Sequence, residues 1–589
     1  SSDTSATVGD NDIDFRKPDG AVLDEVSYGD CTIKVTDGAG NTDNSTPLQV
    51  STFIIDTTAP TVVSVYPTDN KSGVSITTDN ISVTFSEAMD NNSVTTNTSN
   101  TSCSRSFQLS PDNFSSCVRM SSSPSSSDNM TFEFAPSLSL FYSTNYKIRI
   151  TTAARDRAGN VIASQDTQTN GFITTASIPI TAGSAHSCFI LDNGSVKCWG
   201  ANASGQLGLG NTNNRGDGLN EMGDNLTAVD LGTGRTVRDI EAGDNHTCAI
   251  LDNESVKCWG ANASGQLGLG DTNNRGDASG EMGDTLLSVD LGTLRTAKAI
   301  ASGYAHTCAI LDNESVKCWG ANTSGQLGLG NTNNRGDESS QMGDSLTAVD
   351  LGTGRTAKAI AAGYQHTCVI LDNESVKCWG LNDKGQLGIG SNSGSNVKMG
   401  DGSGEMGDSL PAVDLGSGRT AKAISAGYQH TCVILDNASV NCWGNGLNGQ
   451  LGRGENKTEK RPKSDPIDLG SGRNAKAIVT GNSHTCVMLD NSSTKCWGYN
   501  ASGQLGLGDT INLGDGSNEM GDSLLSIDLG TGKTTRAISA GDSHTCSILD
   551  NSSIKCWGAN ASGQLGLGHT NNRGDNSSEM GDNLPVISL

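Results

Sequence analysis

Aromatic residues are scarce in this chain, and long apolar runs are missing from it. Phe, Trp and Tyr make up 4% of the 589 residues and hydrophobic residues of all kinds 34%, which is thin for one large core. No stretch of 18 apolar residues occurs, so the sequence predicts no membrane-spanning helix. The chain does not begin with a signal peptide, so we expect an exported protein to be represented here by a processed or partial form.

Basic residues are also few. Lys and Arg number 39 against 64 Asp and Glu, which gives a formal net charge of −25. A protein this acidic repels phosphate backbones and anionic membranes, so we expect no nucleic acid among its partners. Glycine, in contrast, is abundant, with 74 residues. This composition is typical of many short strands and tight turns around small, repeated cores.

Seven close copies of one segment dominate the chain. The copy at 246–260 reads His-Thr-Cys-Ala-Ile-Leu-Asp-Asn-Glu-Ser-Val-Lys-Cys-Trp-Gly. Every copy has two cysteines with nine residues between them, and successive copies start 60, 60, 60, 64, 54 and 60 residues apart. A period this long indicates a solenoid or a propeller. Cysteines in so regular an arrangement indicate disulfides, and hence an oxidising compartment.

Each unit contains four strand-like runs and no run that suggests a helix. In the second unit they are 239–242, 246–251, 256–260 and 286–291. Four short strands in each of seven units predict a seven-bladed β-propeller. The last unit ends at Leu589 without an Ala-Lys-Ala-Ile strand, whereas the first unit begins with the counterpart at 177–183. We therefore expect the two chain ends to complete one blade together, which closes the ring and removes exposed strand edges.

The two cysteines of each copy face each other if the hairpin is centred on Asn253. Ile250 then lies opposite Val256 and Cys248 opposite Cys258, at a separation that a disulfide can bridge. The alternative is zinc, which the nine-residue spacing and a strand histidine two residues before a cysteine disfavour. The predicted bonds are Cys188–Cys198, Cys248–Cys258, Cys308–Cys318, Cys368–Cys378, Cys432–Cys442, Cys486–Cys496 and Cys546–Cys556.

The units resemble the repeats named for the regulator of chromosome condensation (RCC1). The shared pattern is G-x-x-H-[ST]-C-x-[IL]-L, a turn, V-x-C-W-G and then N-x-x-G-Q-L-G, the last at Asn262–Gly268 and its equivalents. The resemblance implies a propeller at residues 176–589. It implies little about function, because the family includes a guanine-nucleotide exchange factor, protein inhibitors of secreted enzymes and surface proteins. The acidity and the predicted disulfides argue against nucleotide exchange.

The segment before the repeats resembles bacterial immunoglobulin-like (Ig-like) domains of the S-layer-associated type. Residues 59–175 carry Thr-Phe-Ser-Glu-Ala-Met-Asp at 84–90, a strand at Tyr146–Ile150, Asp-Arg-Ala-Gly-Asn at 156–160 and Gly-Phe-Ile-Thr-Thr at 171–175. We expect an Ig-like β-sandwich there, with a Cys103–Cys117 disulfide across a Ser-rich loop. Residues 1–58 show only the closing strands of a partial Ig-like domain, and Cys31 has no obvious local partner. The predicted fold is therefore all-β, with Ig-like domains before a seven-bladed RCC1-like propeller.

The repeated histidines suggest chemistry at first, but an active site is normally unique. We interpret the histidines and tryptophans as structural, each imidazole bonding a neighbouring backbone, and we expect no enzyme. The carboxylates of the loop at 271–284 leave two alternatives open, calcium at Asp271, Asp277 and Asp284 or simple turn chemistry. The same alternatives apply to Asp37 and Asp156 before the repeats.

We expect a specific partner contact where one copy departs from the repeat pattern. The loop after Gly454 clusters Lys457, Lys460, Arg461 and Lys463, which we interpret as either a partner contact or solvated loop drift. Arg-Gly-Asp at 275–277 and three sister copies match the integrin tripeptide but recur with the repeat. Sequons such as 253–255 fit both Asn-rich turns and a glycosylated surface protein.

The leading functional hypothesis is an extracellular or cell-surface structural or adhesive protein, with a protein or glycan as its partner. If a neighbouring subunit supplies the strands missing from residues 1–58, the chain assembles into filaments by strand donation. The alternative is a secreted protein-binding module, for instance an enzyme inhibitor that docks one propeller face. An enzyme requires a lone group of acids or bases in one blade mouth, and inspection of the sequence finds none.

Overall fold

The computed structural model divides the chain into two compact units, Ser1–Ala176 and Ser177–Leu589. It describes 56–174 with gaps at 72–73, 75–80, 99–101, 112 and 137–144, then 180–390 except residue 192, and 398–589. Further towards the N-terminus it describes two strand pairs, Ser27–Tyr28 with Phe53–Ile54 and Thr32–Ile33 with Leu48–Gln49. Cys31, Asp37 and most of the predicted partial domain lie outside the described residues. No helix in the described ranges is long and apolar enough to cross a membrane.

Within the first unit, residues 56–174 contain two antiparallel sheets around one core. One sheet is formed by Val62–Tyr66, Ile81–Phe85 and Thr131–Phe134, and the other by Phe107–Ser110, Asn145–Ile150, Asp166–Thr167 and Phe172–Ile173. Alternate residues of a strand point to one face, and Ile81, Val83 and Phe85 are accordingly buried. The rings of Phe107 and Phe134 stack with their centres 3.6 Å apart, which joins the two sheets.

The second unit contains seven antiparallel sheets among its described residues, one for each repeat, which we call blades 1 to 7. Each blade has an inner, a middle and an outer strand that follow one another in sequence and in space. Blade 4 adds Lys398–Met399, which pairs with Gly380 and Leu381 at the end of the outer strand.

The strand bounds repeat closely from blade to blade. The inner strands are Ile180–Ala182, Val237–Ala242, Ala297–Ser302, Ala357–Ala362, Ala421–Ala426, Ala475–Thr480 and Thr535–Ala540. The middle strands are His186–Ile190, His246–Leu251, His306–Leu311, His366–Leu371, His430–Leu435, His484–Leu489 and His544–Leu549. The outer strands are Val196–Gly200, Val256–Gly260, Val316–Gly320, Val376–Leu381, Val440–Gly444, Thr494–Gly498 and Ile554–Gly558.

The fourth predicted run of each unit is a short turn and an extended segment rather than a regular strand. Three-residue 3-10 helices precede it at Gly223–Asn225, Gly283–Thr285, Gly343–Ser345, Gly407–Ser409, Gly521–Ser523 and Gly581–Asn583. The extended segment returns to the outer strand of its own blade, as where the Val289 amide donates to the Val256 carbonyl at 2.8 Å. Each blade is thus covered at its outer edge by residues of the same repeat.

The chain ends do not share a blade, which corrects the closure expected from the sequence. Ile180–Ala182 pairs with the middle strand of blade 1, and the Ile587 amide donates to the Ile554 carbonyl of blade 7 at 2.9 Å. The reason is that one repeat supplies a whole blade, from its inner strand to its outer segment. The ring closes through contacts between blades 7 and 1, such as the Gly223 amide donating to the Ser588 carbonyl at 3.0 Å.

The inner strands of successive blades contact one another around the whole ring, including blades 7 and 1. They therefore surround the central channel that a propeller has. A small apolar core lies between neighbouring blades, for instance Ile300, Leu311 and Trp319 of blade 3 against Ile250 and Val256 of blade 2. Several such cores take the place of one large core, in keeping with the scarcity of aromatic residues.

A disulfide connects the middle and outer strands of every blade. In blade 2, Cys248 pairs directly with Cys258, and their Cα atoms are 4.1 Å apart. The hairpin turns through a three-residue loop whose last residue, Glu254, has a φ of +64°. This left-handed residue is typical of three-residue hairpin loops. The disulfides are Cys103–Cys117, Cys188–Cys198, Cys248–Cys258, Cys308–Cys318, Cys368–Cys378, Cys432–Cys442, Cys486–Cys496 and Cys546–Cys556.

Candidate functional site

The histidine at the start of each middle strand joins its blade to the next one. Nε2 of His246 lies 3.0 Å from Oγ1 of Thr307, and that hydroxyl donates to the Gln266 carbonyl at 3.0 Å. Because the hydroxyl has one proton, which this carbonyl accepts, the imidazole must be the donor in the first bond. The indole N–H of Trp319 donates to the same carbonyl at 3.0 Å. The repeat motif therefore connects blades.

Seven such imidazole–hydroxyl bonds form a closed circle. The bond between His544 Nε2 and Ser187 Oγ, at 2.9 Å, connects blade 7 to blade 1. The other pairs are His186–Thr247, His246–Thr307, His306–Thr367, His366–Thr431, His430–Thr485 and His484–Thr545. The imidazoles bond a neighbour's hydroxyl, whereas the sequence interpretation expects a neighbour's backbone.

Burial keeps these imidazoles neutral. It lowers the pKa of His186 to about 4, and burial with the charges of neighbouring histidines lowers that of His246 to about 3. The Nδ1 atoms are buried and have no hydrogen-bond partner. A neutral ring enclosed in this way has no access to a substrate, which supports the structural interpretation.

The three carboxylates proposed for calcium in the loop at 271–284 are engaged separately. Asp271 Oδ2 pairs with Arg275 Nη2 at 2.6 Å. Asp284 accepts from the backbone amide and the hydroxyl of Thr233 at 2.9 and 2.7 Å. The structure does not bring these two carboxylates together with Asp277 into a group of ligand atoms. Calcium at this loop stays a prediction.

A different group of carboxylates lies together in the first unit. Oxygens of Asp56, Glu87 and Asp156 lie within 4.8 Å of one another. Asp156 is buried, and its two oxygens accept from the backbone and side-chain amides of Asn160 at 2.9 and 2.8 Å. Carboxylate oxygens are the ligand type that calcium prefers. Proximity of acids alone does not define a metal site, so calcium also stays a prediction here.

Two of the four basic residues in the loop of blade 5 form ion pairs with carboxylates of the same loop. Glu455 accepts from both Lys457 and Lys463 at 2.6 Å, and Lys463 also pairs with Glu459 at 2.8 Å. Arg461 donates to the Ile389 carbonyl, and the Lys460 carbonyl accepts from the Gly390 amide at 2.9 Å. The loop therefore packs against blade 4, and half of its four positive charges are paired with carboxylates of the loop. A partner contact by its four basic residues remains a prediction.

The blades also differ at the mouth of the central channel. In every blade, the residue directly after the glycine that follows the inner strand occupies the same position. Backbone bonds tie neighbouring positions together, as where the Ser184 amide donates to the Asp244 carbonyl at 3.2 Å. We call the set the mouth ring, and its members are Ser184, Asp244, Tyr304, Tyr364, Tyr428, Asn482 and Asp542.

One half of the mouth ring is aromatic. The ring centres of Tyr304 and Tyr364 are 4.5 Å apart, and those of Tyr364 and Tyr428 are 3.9 Å apart. Tyr304 is 44% exposed. Burial, together with a hydrogen bond to Tyr364, raises the pKa of Tyr428. Tyr364 and Tyr428 are stacked and Tyr304 is tilted against Tyr364, so three phenol rings in adjacent blades form one aromatic cluster at the channel mouth.

The other half of the mouth ring is acidic. Asp542 Oδ2 accepts from the Ser184 hydroxyl at 2.8 Å, and Asp244 Oδ2 accepts from the Asn245 side-chain amide at 2.6 Å. Burial and the charge of Asp542 raise the pKa of Asp244 to about 6. Burial also raises the pKa of Asp542. The Asp244 charge in turn raises the pKa of Tyr304, so the acidic and aromatic halves lie within electrostatic reach of each other.

A further carboxylate lies below the mouth, on the inner strand of blade 2. Glu241 pairs with the first cysteine of its hairpin. It is partly accessible yet closely surrounded by protein, and burial with the charge of Asp239 raises its pKa to about 8. The equivalent residues in the other blades are small or neutral, namely Thr181, Ala301, Ala361, Ser425, Val479 and Ser539. Blade 2 alone places a carboxylate at this position.

Sequence reasoning missed Glu241 and the mouth-ring residues, although the differences between blades at these positions are visible in the sequence. Blade 2 has Arg-Asp-Ile-Glu-Ala-Gly-Asp at 238–244, where blade 3 has Lys-Ala-Ile-Ala-Ser-Gly-Tyr at 298–304. The differences lie beside residues that recur in every copy, which draws attention to the longer loops instead. Because the inner strand lines the channel, these single differences between blades change the channel wall.

Comparisons with known proteins agree with this architecture. A model of the RCC1-like domain matches residues 158–520, more than half of the chain, and a model of the RCC1 repeat matches 536–564. A model of a bacterial Ig-like domain matches 56–174. Both resemblances found in the sequence are thereby confirmed.

Two curated relatives illustrate the range of proteins that share the repeat. The ultraviolet-B receptor UVR8 of Arabidopsis thaliana is 27% identical over 395 residues, which cover 67% of this chain and 79% of the receptor. The X-linked retinitis pigmentosa GTPase regulator homolog of Caenorhabditis elegans is 28% identical over 357 residues, 56% of this chain but 24% of that protein.

Solved structures with a similar fold are more distant in sequence. Human WBSCR16 shows 18% identity and a TM-score of 0.48, covering 66% of this chain and 90% of its own. Prp20p of Saccharomyces cerevisiae shows 19% identity and a TM-score of 0.47, covering 62% and 80%. From the extent of the matching family model, we conclude that the chain belongs to the RCC1-like family and carries a bacterial Ig-like domain before its propeller.

Proposed function

We propose that this chain is an extracellular, cell-surface protein of structural or adhesive type, whose propeller binds a partner at the mouth ring. The observation that carries the proposal is the division of the mouth ring into contacting tyrosines and partly buried carboxylates on a frame that is otherwise repeated. Eight disulfides support the extracellular location, because such bonds persist in oxidising compartments. The match to a bacterial Ig-like domain supports it as well.

The binding role is tested by adhesion of the purified full chain to arrays of extracellular proteins and glycans. Tyr364→Ala removes the central ring of the aromatic half, and we expect it to abolish the strongest array signals. The matched control is Tyr499→Ala, since Tyr499 is a 38% exposed tyrosine outside the mouth ring. Equal binding by the two variants would contradict a binding role for the mouth.

The compartment is tested separately on protein isolated from its source. Mass spectrometry without reduction is expected to find the cysteines of every hairpin oxidised. Free thiols at Cys248 and Cys258 would overturn the extracellular location, because a reducing compartment keeps such thiols reduced.

The filament hypothesis rests on residues 1–58, most of which lie outside the described ranges. It predicts that native material forms linear polymers by strand donation. Electron microscopy of that material checks it, and a field of single, monodisperse particles would be the contrary result. A secreted protein-binding module remains the alternative, and it predicts one stoichiometric partner that is lost when the loop 455–464 is mutated.

A second candidate function follows from the carboxyl pair itself. A carboxyl with a pKa of about 6 beside another carboxyl has the properties of a general acid in glycoside hydrolysis. This candidate predicts release of reducing ends from a polysaccharide, and their loss in Asp244→Asn. The binding proposal predicts that no reducing ends are released, so one colorimetric assay separates the two.

A further inference from the structure

The mouth ring has negative charge that the propeller itself does not balance. None of the ion pairs in the described part of the propeller involves Asp244, Asp542 or Glu241. The partners of the two mouth carboxylates named above are neutral, a serine hydroxyl and an asparagine amide. Two partly buried carboxylates that repel each other gain free energy when a cation enters between them.

The aromatic half of the mouth ring is a second feature, besides the carboxylates, that favours a bound cation. Positive groups are attracted to the faces of aromatic rings, and the attraction is worth about 0.5–2 kcal/mol, more where water is excluded. The contacting rings of Tyr304, Tyr364 and Tyr428 lie in three adjacent blades of the same mouth ring that holds Asp244 and Asp542. An organic cation with an apolar stem can therefore contact tyrosine rings and a carboxylate together.

We propose that the mouth ring binds a lysine or arginine side chain of a partner protein, with the cationic head at Asp244 and Asp542 and the stem along the tyrosines. This inference rests on the proposed function and names the chemistry of its partner. Glu241 lies three residues before Asp244, within roughly 10 Å along the strand, but its raised pKa of about 8 leaves it mostly neutral at pH 7.5, so the two aspartates carry the attraction for the cation. The other residues at its level, such as Ala301 and Ala361, carry no competing positive charge.

A neutral glycan is the competing ligand class, because sugars also stack on tyrosine. A glycan does not neutralise the two aspartates, however, and the charge of the acidic half would then remain unused. Charge complementarity therefore favours a basic protein segment over a glycan.

The test uses calorimetric titration of the full chain with a synthetic peptide that contains three lysines separated by glycines. Its Nε-acetylated counterpart has the same length without the charges. We expect binding of the lysine peptide only, and a loss of affinity of about tenfold in Asp542→Asn. Tyr364→Leu is expected to weaken binding by at least about threefold.

A matched control is needed because the whole chain is acidic and attracts lysine peptides without a specific site. Asp252→Asn removes one negative charge from a carboxylate that pairs with Arg235 outside the mouth ring. We expect it to leave the affinity unchanged within about twofold. If Asp252→Asn and Asp542→Asn weaken binding equally, the attraction is nonspecific and the proposal is wrong.

The pH dependence gives a further readout, taken only where tryptophan fluorescence shows that the propeller is still folded, because acid also destabilises it. Asp244 has to ionise to bind a cation, and its pKa is about 6. Affinity for the lysine peptide should therefore fall severalfold between pH 7.5 and pH 5.5, and Asp244→Asn should reduce that dependence. An affinity that is flat across this interval would contradict the assignment of the cation to Asp244.

The outcomes separate this inference from the function on which it rests. If the lysine peptide fails to bind while a glycan binds in a Tyr364-dependent manner, the cation class is wrong and the binding role of the mouth stands. If neither ligand depends on Tyr364 or Asp542, both proposals fall. Binding of the lysine peptide that depends on both residues supports both.

Discussion

Acid is expected to destabilise the propeller through its circle of histidines. Each imidazole is buried, donates through Nε2 and has no partner at Nδ1, so its protonation places an unpaired charge in the interior. The pKa of these histidines in the folded state is about 3 to 4. In the unfolded chain it is the ordinary 6.5, so the unfolded state binds more protons below that pH.

The sign and size of the effect follow from these pKa values. Because the pKa of each histidine is lower in the folded state, its contribution to stability is fully present above pH 6.5. That contribution is lost as the pH falls towards 4. The loss is about 1.4 kcal/mol per pH unit for each histidine, which makes roughly 2 kcal/mol at pH 5. For seven histidines, we expect a loss of roughly 14 kcal/mol in the free energy of unfolding.

Two carboxyls at the channel act in the opposite direction. The pKa of Glu241 is raised to about 8 and that of Asp244 to about 6, so the folded state binds their protons more readily than the unfolded chain. Between pH 7.5 and pH 5, protonation of these two carboxyls adds roughly 4 kcal/mol to the free energy of unfolding. The net loss is therefore on the order of 10 kcal/mol, which exceeds the stability of many domains.

Calorimetry of the oxidised full chain between pH 7.5 and pH 5 measures this loss, with the buried tryptophans as a second, fluorescent probe. His366→Gln keeps a donor near Thr431 but cannot titrate, so its pH dependence should be smaller by one histidine's share. His569→Gln is the control, because His569 lies outside the circle; burial and the charge of Arg573 lower its pKa as well, so its removal should reduce the pH dependence less than His366→Gln does. A stability that changes by less than about 2 kcal/mol over this interval would refute the reasoning.

Three further predictions concern the blades. Ala438 has a φ of +62°, so Ala438→Gly is expected to raise the free energy of unfolding by about 1 kcal/mol in denaturant titrations, and no gain would contradict the strain. A Cβ on Gly363 would collide with His366 Cε1 and with the Gly427 carbonyl oxygen. Gly363→Ala should therefore lower the thermal midpoint, with a cost of about 3 kcal/mol, and an unchanged midpoint would refute the close packing. Replacing Cys308 and Cys318 together by alanine should cost roughly 2–3 kcal/mol in the same titration, whereas a neutral result would show that the hairpin needs no covalent link.

The repeated parts of the fold could be predicted from the sequence because they are local. The hairpin register follows from the alternation of residues such as Cys248 and Ile250 around a short turn, and all seven copies predict the same register. The RCC1-like and Ig-like resemblances rest on motifs of this local kind. The way in which the ring closes is not local, because it depends on whether Ile587 bonds to its own blade or to the first one.

The candidate site could not be predicted because its members are far apart in sequence. Asp244 and Asp542 meet only when blades 2 and 7 are placed on either side of blade 1. The basic loop shows the opposite problem, since Lys463 looks unpaired until the turn brings Glu455 and Glu459 to it. In both cases the sequence shows the charged residues, but which residues lie next to them depends on the three-dimensional fold.

The fixed residues on either side of the mouth positions have a practical consequence. Gly303 and His306 are held by close packing and by the imidazole circle, whereas Tyr304 between them is 44% exposed and occupies a position that also accepts serine, aspartate and asparagine. One side chain per blade can thus be exchanged while the supporting backbone stays the same. The propeller is therefore a natural starting scaffold for engineered recognition, in which new specificities are encoded by choosing the residues around a single rim.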